Sequence, residues 1–278
     1  MSEELIKLAA EAIANAQALL IAAGAGMGVD SGLPDFRGPE GFWRAYPAYR
    51  SLGLKFSELA TPWWFVEDPA LAWGFYGHRL NLYRATSPHA GFEILRQWSA
   101  RMKRGAFVFT SNVDGHFQRA DFSEDQITEI HGSIHYAQCM KRCGVGIFPA
   151  DSFVPKVDQT TLRCEGELPK CPACGALARP NILMFGDYGW DPGRNAQQEH
   201  RLDGWLRSAG PKLVVVELGA GTSVPTVRTF SEGIAEARNA RLVRINIRQP
   251  KALDGGISLP MGALNALEKI KAALTELV

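Results

Sequence analysis

The stretch Ala18 to Gly26, with the sequence ALLIAAGAG, decides how the chain folds. Six small or apolar residues run into a glycine-rich turn, which is the pattern of a strand buried on both faces and followed by a tight turn. Upstream, apolar residues from Leu5 to Ala16 recur at helical spacing. The order of helix, buried strand and glycine turn predicts an α/β domain.

Further short apolar runs occur at residues 107–109, 213–216 and 242–245, separated by long helical or irregular stretches. Buried strands spaced by helices indicate a parallel sheet covered on both faces. Ligands bind beyond the carboxyl ends of the strands in such sheets. Those ends are marked by Gly24, Asn112, Gly219 and Asn246, so we expect a ligand site there.

Length and charge limit the classes of function. The chain has 278 residues, and its 30 basic and 29 acidic side chains nearly cancel. Because no run of like charges stands out, we expect neither a nucleic-acid partner nor a membrane partner. The N-terminal sequence MSEE is acidic, and the apolar stretch 16–25 is too short for a membrane span. We expect a cytoplasmic protein that acts as a monomer.

All five cysteines lie between Cys139 and Cys174. An odd, clustered set suits a metal better than disulfides. Cys171 and Cys174 form a CPAC knuckle, and with Cys139 and Cys143 they offer four ligands for a structural zinc ion. Three residues separate the first pair, and Cys164 is an alternative to either member of it. Five unrelated buried thiols are the less favoured interpretation.

A glycine-flanked loop, SGLPDFRG at residues 31–38, places an acid, a ring and a guanidinium side by side. Arg37 suits a phosphate, Asp35 suits a polar ring substituent, and Phe36 suits an apolar face that excludes water. An exposed turn with a local Asp–Arg pair is the alternative. The turn GAGMG at 24–28 is weak evidence alone, because Val29 stands where a dinucleotide fingerprint has its third glycine.

Two further segments carry polar groups. Asn112 and Asp114 follow the strand 107–109, where a turn would explain them equally well. His131 precedes Gly132 after another apolar segment, and an imidazole suits a general base near neutral pH. A lone histidine is more often structural.

Together these segments, with RPN at 179–181 and FGD at 185–187, resemble the sirtuin family in order and approximate spacing. The resemblance runs from about residue 15 to the C-terminus. It implies an NAD-dependent protein deacylase whose acyl-lysine peptide enters a cleft between two domains. The implied units are a Rossmann-like parallel sheet formed by residues 1–37, 85–135 and 182–278, a cofactor loop and helical module at 38–84, and an inserted zinc-binding module at 136–181.

The resemblance also assigns residues. It implies that His131 is the general base and that Asn112 acts with Asp35 in the nicotinamide pocket. The implied NAD-binding set is Gly24, Ala25, Gly26, Asp35, Phe36, Arg37, Ser111, Asp114, Gly219, Gly221, Thr222, Ser223 and Asn246. The implied substrate-binding set is Ala60, Tyr76, Arg79, Val113, Met184, Phe185 and Gly186, with residues 182–185 pairing with the peptide backbone.

In the family mechanism, the acyl oxygen attacks C1′ of the nicotinamide ribose as nicotinamide leaves. His131 would then activate a ribose hydroxyl, which takes the acyl group. The products would be nicotinamide, free lysine and O-acyl-ADP-ribose.

The segment FYGHR at 75–79, with ATP at 60–62, is similar to the sirtuin branch that removes succinyl and other acidic acyl groups. Three positions apart on a helix, Tyr76 and Arg79 share a face and suit one carboxylate. A packing tyrosine beside a surface arginine is the alternative.

The chain departs from the family pattern at several cofactor positions. Gly28 replaces a usual serine, Ser111 a usual glutamine and Asp187 a usual glutamate, and the loop 219–225 is altered. Two other functions therefore stay open. One is ADP-ribosyl transfer or NAD hydrolysis in the same pocket, and the other is a non-catalytic sensor of NAD or ADP-ribose.

Overall fold

The structure is a computed structural model that describes residues 2–34, 42–43, 46–51 and 53–277. The chain begins with helix α1 (Ser2–Ala14) and strand β1 (Ala18–Ala23), as the sequence predicts. The helix is shorter than the apolar spacing predicts, since Ala16 lies in the link to β1. Leu8, one of the apolar residues of that pattern, is 44% exposed.

The large sheet has six parallel strands in the order β11-β10-β9-β1-β2-β3. The strand order reverses between β1 and β9, which makes their carboxyl ends the switch point where ligands bind in such sheets. Besides β1, the strands are β2 (Ala106–Thr110), β3 (Ile127–Glu129), β9 (Leu213–Leu218), β10 (Arg241–Ile245) and β11 (Ile257–Leu259).

Helices cover both faces of this sheet. Alternate residues of β1, such as Leu19 and Ile21, pack into one hydrophobic cluster with α1, while Leu20 and Ala22 pack into another. The first face is covered by α1, α6 (Ala90–Arg101) and α10 (Ala263–Glu276), and the second by α8 (Gly193–Ser208) and α9 (Thr226–Arg238). The predicted α/β sheet with two covered faces is confirmed.

A smaller unit is inserted in the chain between β3 and β9. Its antiparallel sheet has the order β5-β4-β8, and β6 pairs with β7. The strands are β4 (Gly132–Cys139), β5 (Ile147–Pro149), β6 (Lys156–Val157), β7 (Cys164–Glu165) and β8 (Ala178–Ile182). The remaining described helices are α2 (Pro47–Ser51), α3 (Phe56–Leu59), α4 (Trp64–Glu67), α5 (Pro69–Ala85) and α7 (His116–Arg119).

Helix α5 joins the helical region to the small unit. The indole of Trp73 donates to the carbonyl of Ala178 at 2.9 Å. A Cβ on Gly74 would lie 1.9 Å from the carbonyl oxygen of Leu162, so only glycine allows this approach. One hydrophobic cluster contains residues of both parts, including Trp73 and Leu162. In the part of the chain that the structure describes, no helix is long and apolar enough to cross a membrane.

Candidate active site

Five strands of the large sheet end in one row. Backbone pairing places Glu129 opposite Thr110, Thr110 opposite Ala23, Ala23 opposite Leu218 and Leu218 opposite Ile245. The segments that follow leave the sheet at the same edge. The structure thereby gathers five of the predicted residues, namely Gly24, Asn112, His131, Gly219 and Asn246.

Two glycines let the loops after β1 and β9 cross at the switch point. The N–H of Gly24 donates to Leu218 and the N–H of Gly26 donates to Gly219, at 2.9 and 3.1 Å. A Cβ on Gly219 would lie 2.4 Å from the backbone of Gly26, and its φ is +62°. A Cβ on Gly24 would lie 2.8 Å from the Cα of Ala220. Backbone contact therefore excludes a side chain at Gly24 and at Gly219.

Asn246 holds the second of these loops. Its Nδ2 donates to the carbonyl of Ala220 at 2.7 Å, and its Oδ1 accepts the N–H groups of Arg248 and Gln249. Beyond this anchor the loop opens, since Thr222 and Ser223 are exposed. A Cβ on Gly221 would meet no atom within 4 Å.

The end of β2 is tied to the end of β1. Asn112 is 9% exposed, and its Nδ2 donates to the carbonyl of Gly24 at 3.1 Å. The hydroxyl of Thr110 accepts the N–H of Asn112 and donates to Ala23, both at 3.0 Å. Asp114 is also buried, and its carboxylate accepts the N–H of His116 at 2.9 Å.

His131 lies between β3 and β4. Its backbone carbonyl accepts the N–H of Leu183 at 2.9 Å. Burial lowers the pKa of the His131 imidazole below its ordinary value, and a hydrogen bond to the backbone of Ser111 opposes this shift in part. The imidazole therefore lies against the segment that carries Asn112 and is neutral at pH 7, the protonation state that a general base requires.

Helix α8 braces the strand end that precedes His131. The carboxylate of Glu129 is 1% exposed and forms an ion pair with Arg194. Gln198 accepts the N–H of Glu129 at 3.0 Å, and Asn195 donates to its carbonyl at 3.2 Å. Our sequence reasoning missed this brace. A glutamate ending a buried strand was the available signal, but its partners lie more than sixty residues downstream.

The predicted acyl-binding residues meet on α5. Tyr76 and Arg79 are 1% and 6% exposed, which excludes the alternative of a surface arginine. The guanidinium carbon lies 5.2 Å from the ring centroid of Phe75 and 5.7 Å from that of Tyr76. Ala60 is the C-cap residue of helix α3 and is 5% exposed.

The predicted peptide-binding segment runs between these two groups. The N–H of Phe185 donates to the carbonyl of Ala60 at 3.0 Å, so the segment links Ala60 to His131. Phe185 is 42% exposed and Met184 is 5% exposed, while Gly186 has a φ of +63°. Val113 is buried, and its carbonyl accepts the N–H of Ile134.

A buried ion pair shapes the same segment. The guanidinium of Arg179 donates to the carboxylate of Asp187 at 2.6 Å, with exposures of 2% and 0%. The Asp187 carboxylate also accepts the N–H groups of Met184 and Gly189, at 3.3 and 3.0 Å. Arg179 of the RPN motif and Asp187 of the FGD motif are thus in direct contact.

The four predicted zinc ligands converge. The Sγ atoms of Cys139, Cys143, Cys171 and Cys174 all lie within 4.8 Å of one another. Tetrahedral zinc with Zn–S bonds of about 2.3 Å requires sulfur separations of about 3.8 Å, so the donor set fits zinc. Cys164 stands outside the group, buried in the hydrophobic cluster around α5. Three predicted cofactor residues, Asp35, Phe36 and Arg37, lie outside the described residues.

Comparison with known proteins agrees with this architecture. The model of the Sir2 family matches residues 24–203, more than half of the chain. NAD-dependent protein deacylase 2 of Pyrobaculum aerophilum is 35% identical over 246 residues, covering 88% of this chain and 85% of the relative. NAD-dependent protein deacylase sirtuin-5, mitochondrial, of Danio rerio is 34% identical over 192 residues, covering 64% of this chain and 59% of the relative.

A solved Sir2 homologue in complex with NAD superposes with a TM-score of 0.70 at 26% identity, covering 100% of this chain and 96% of that one. The chain therefore belongs to the Sir2 family, the sirtuins, and is an NAD-dependent protein deacylase with a four-cysteine site for structural zinc.

Proposed function

We propose that this deacylase prefers acyl groups that end in a carboxylate, of the succinyl and malonyl type, on the lysines of protein or peptide substrates. The observation that carries the proposal is the burial of Arg79 beside Tyr76 on one face of α5. Burying a guanidinium is costly unless partners compensate for its lost hydration. A bound carboxylate adds charge-assisted hydrogen bonds to this cation, whereas an acetyl methyl group adds none.

The position of Ala60 supports the same proposal. It is one of the buried residues of the hydrophobic cluster that contains Tyr76, and its carbonyl holds Phe185. A methyl side chain leaves more room at this point than a larger residue would. We therefore place the acyl chain between Ala60 and the Tyr76–Arg79 pair, and the acyl-lysine peptide along residues 182–186.

The hydrogen bonds of that segment suggest which edge the peptide uses. The N–H groups of Leu183 and Phe185 point inward, to His131 and Ala60. Met184 lies between them and turns its N–H the other way, to the carboxylate of Asp187, so its backbone faces the opposite edge. We propose that the peptide backbone pairs there and at Gly186.

On the cofactor side, we propose His131 as the general base and Asn112 with Asp35 as the nicotinamide pocket. Phe36 and Arg37 would cover the cofactor, and Asp114 would support the pocket from the strand end. The loops at Gly24–Gly26 and Gly219–Ser223, with Ser111 and Asn246, would hold the rest of NAD. The neutral imidazole of His131 and its approach to Ser111 support this assignment.

We also propose the domain division given by the resemblance. The two hydrophobic clusters that flank the large sheet consist wholly of residues from 1–37, 85–135 and 182–278. The cluster around α5 draws on all three units, including Leu33, Tyr76 and Leu162. The helical module at 38–84 and the zinc module at 136–181 would accordingly pack against each other and against the large domain through this cluster.

The test is turnover of paired peptides that carry acetyl-lysine or succinyl-lysine, with NAD, followed by mass spectrometry. We expect the unmodified protein to favour the succinyl peptide. Arg79→Met should lower kcat/KM for that peptide by about tenfold to a hundredfold, since it removes a charge-assisted contact. Arg50→Met, an exposed arginine on α2, serves as the control. Equal turnover of both peptides by the unmodified protein would contradict the proposed preference.

Labelled NAD separates this reaction from the two alternatives. Label that remains on protein would indicate ADP-ribosyl transfer. Free ADP-ribose formed without an acylated peptide would indicate hydrolysis. Binding of NAD without any product would indicate a sensor.

A further inference from the structure

A second tyrosine of α5 contacts the proposed acyl-binding arginine. Tyr83 lies one helical turn after Arg79 and is 5% exposed. Its phenolic oxygen accepts hydrogen bonds from Nε and Nη2 of Arg79, at 3.0 and 2.9 Å. The guanidinium carbon lies 5.4 Å from the centroid of the Tyr83 ring. Tyr83 therefore meets the cation through its hydroxyl and through its ring.

These contacts determine how the guanidinium is turned. Two donors on one side of the planar group converge on a single oxygen, which fixes rotation about the last bonds of the side chain. Rings of Phe56, Phe75 and Tyr76 lie 5.2 to 5.9 Å from the guanidinium carbon and restrict its displacement. A flexible arginine would lose rotamer entropy on binding a ligand, and an oriented one has already lost it.

The chemistry of the partner matters as much as its position. Burial raises the pKa of Tyr83, so the group stays a neutral phenol at physiological pH. A carboxylate at this position would neutralise Arg79 and compete with an acidic acyl chain. A phenol orients the cation and leaves its charge in place.

Tyr83 also stands where the two sides of the site meet. It lies within electrostatic range of Asp114, the acid at the end of the β2 segment, and its backbone carbonyl accepts a hydrogen bond from Arg119 at 2.7 Å. Helix α7, which carries Arg119, begins two residues after that acid. Through Tyr83, Arg79 is thus connected to the same segment after β2 that carries Asn112.

We propose that Tyr83 is a positioning residue for acyl selectivity, which orients Arg79 toward the distal carboxylate of the acyl chain. This inference rests on the proposed preference for acidic acyl groups. The residues that select the acyl group are then three on one face of α5, spaced three and four positions apart: Tyr76, Arg79 and Tyr83.

The experiment compares Tyr83→Phe with the unmodified protein on the acetyl and succinyl peptides. The substitution removes one oxygen and keeps the ring. We expect the ratio of kcat/KM for succinyl over acetyl to fall by about tenfold, mainly through a higher KM for the succinyl peptide. Tyr49→Phe is the matched control, because Tyr49 belongs to the same hydrophobic cluster and its hydroxyl donates to Leu162 at 3.0 Å.

Melting temperatures of both variants separate orientation from stability. If Tyr49→Phe lowers the melting temperature and keeps the ratio while Tyr83→Phe reduces the ratio, the inference stands. An unaltered ratio in Tyr83→Phe, or an equal fall in both variants, would overturn it. Failure of the unmodified protein to prefer the succinyl peptide would overturn the proposed function as well, so the two failures are distinguishable.

Discussion

The proposed cofactor edge of the sheet and the proposed acyl pocket on α5 are built in different ways. The edge is made of backbone, since Gly24 and Gly219 meet the opposite loop through main-chain atoms and Asn112 is held by the carbonyl of Gly24. The acyl pocket is made of side chains, with Arg79 enclosed by aromatic rings and bonded to Tyr83. Five strands contribute to the first, and one helix supplies most of the second.

The two kinds of construction predict which substitutions each region tolerates. Where two loops cross, an added Cβ meets backbone atoms, which cannot rotate away as the end of a side chain can. A side-chain site can be altered one atom at a time, because the helix beneath it keeps its own hydrogen bonds. We therefore expect changes at the cofactor edge to affect every acyl substrate equally, and changes on α5 to alter the choice between substrates.

The largest effect is expected for His131→Ala. Loss of a general base lowers turnover by roughly 10² to 10⁴-fold. The fall should be the same for acetyl and succinyl peptides, because the base acts after the acyl group has been selected. Single-turnover assays with both peptides measure this, and calorimetry should show that NAD still binds. A fall in turnover for only one of the two peptides would contradict the proposal that the sheet edge carries out the reaction and α5 selects the acyl group.

The next effect concerns the crossing of the two loops. Gly219→Ala places a Cβ against Gly26 at a φ of +62°. We expect a loss of about 2 to 4 kcal/mol in the free energy of unfolding, and weaker NAD binding. Gly221→Ala, two residues on, is the control, because a Cβ there meets no atom within 4 Å. Its unfolding free energy should change by less than about 0.5 kcal/mol.

Denaturant titration and NAD calorimetry on both glycine variants provide the measurement. If Gly219→Ala were as stable as Gly221→Ala, the edge would tolerate side chains, and its description as a backbone site would be wrong.

The smallest effect is a pH dependence. Burial lowers the pKa of His131 below its ordinary value of about 6.5. If His131 is the proposed base, it is active when neutral, so turnover should be constant above this lowered pKa and should decline only as the pH falls through it. The expected acid limb of kcat therefore lies below pH 6.5, at the same position for both peptides. A limb above pH 6.5 would mean that the imidazole is more solvated than the structure indicates.

Much of this arrangement was predictable from the sequence. The run ALLIAAGAG, the later apolar runs and the polar residues after them predict a parallel sheet with a site at its carboxyl edge, because local patterns carry this information. The zinc ligands were predictable in the same way for the pair Cys171 and Cys174. For the first pair, the sequence favours Cys139 and Cys143 with Cys164 as an alternative, and the fold confirms the favoured pair by placing Cys164 in the cluster around α5.

The contacts that sequence reasoning missed are non-local. Glu129 meets Arg194, sixty-five residues away along the chain. Asp187 forms a buried ion pair with Arg179, which lies on the preceding strand. Tyr83 is the exception, because its spacing of four from Arg79 on a helix was a readable signal.

Local sequence patterns were enough to locate four of the six strands of the large sheet, the glycine turns and the identity of the chemical groups. These follow from periodicity and residue type, which act over a few neighbouring residues. The packing of the whole chain shows which loops cross at Gly219, which cysteines share a centre and how Arg79 is oriented. Such features depend on the packing of segments far apart in the chain, and no local pattern encodes the distance between them.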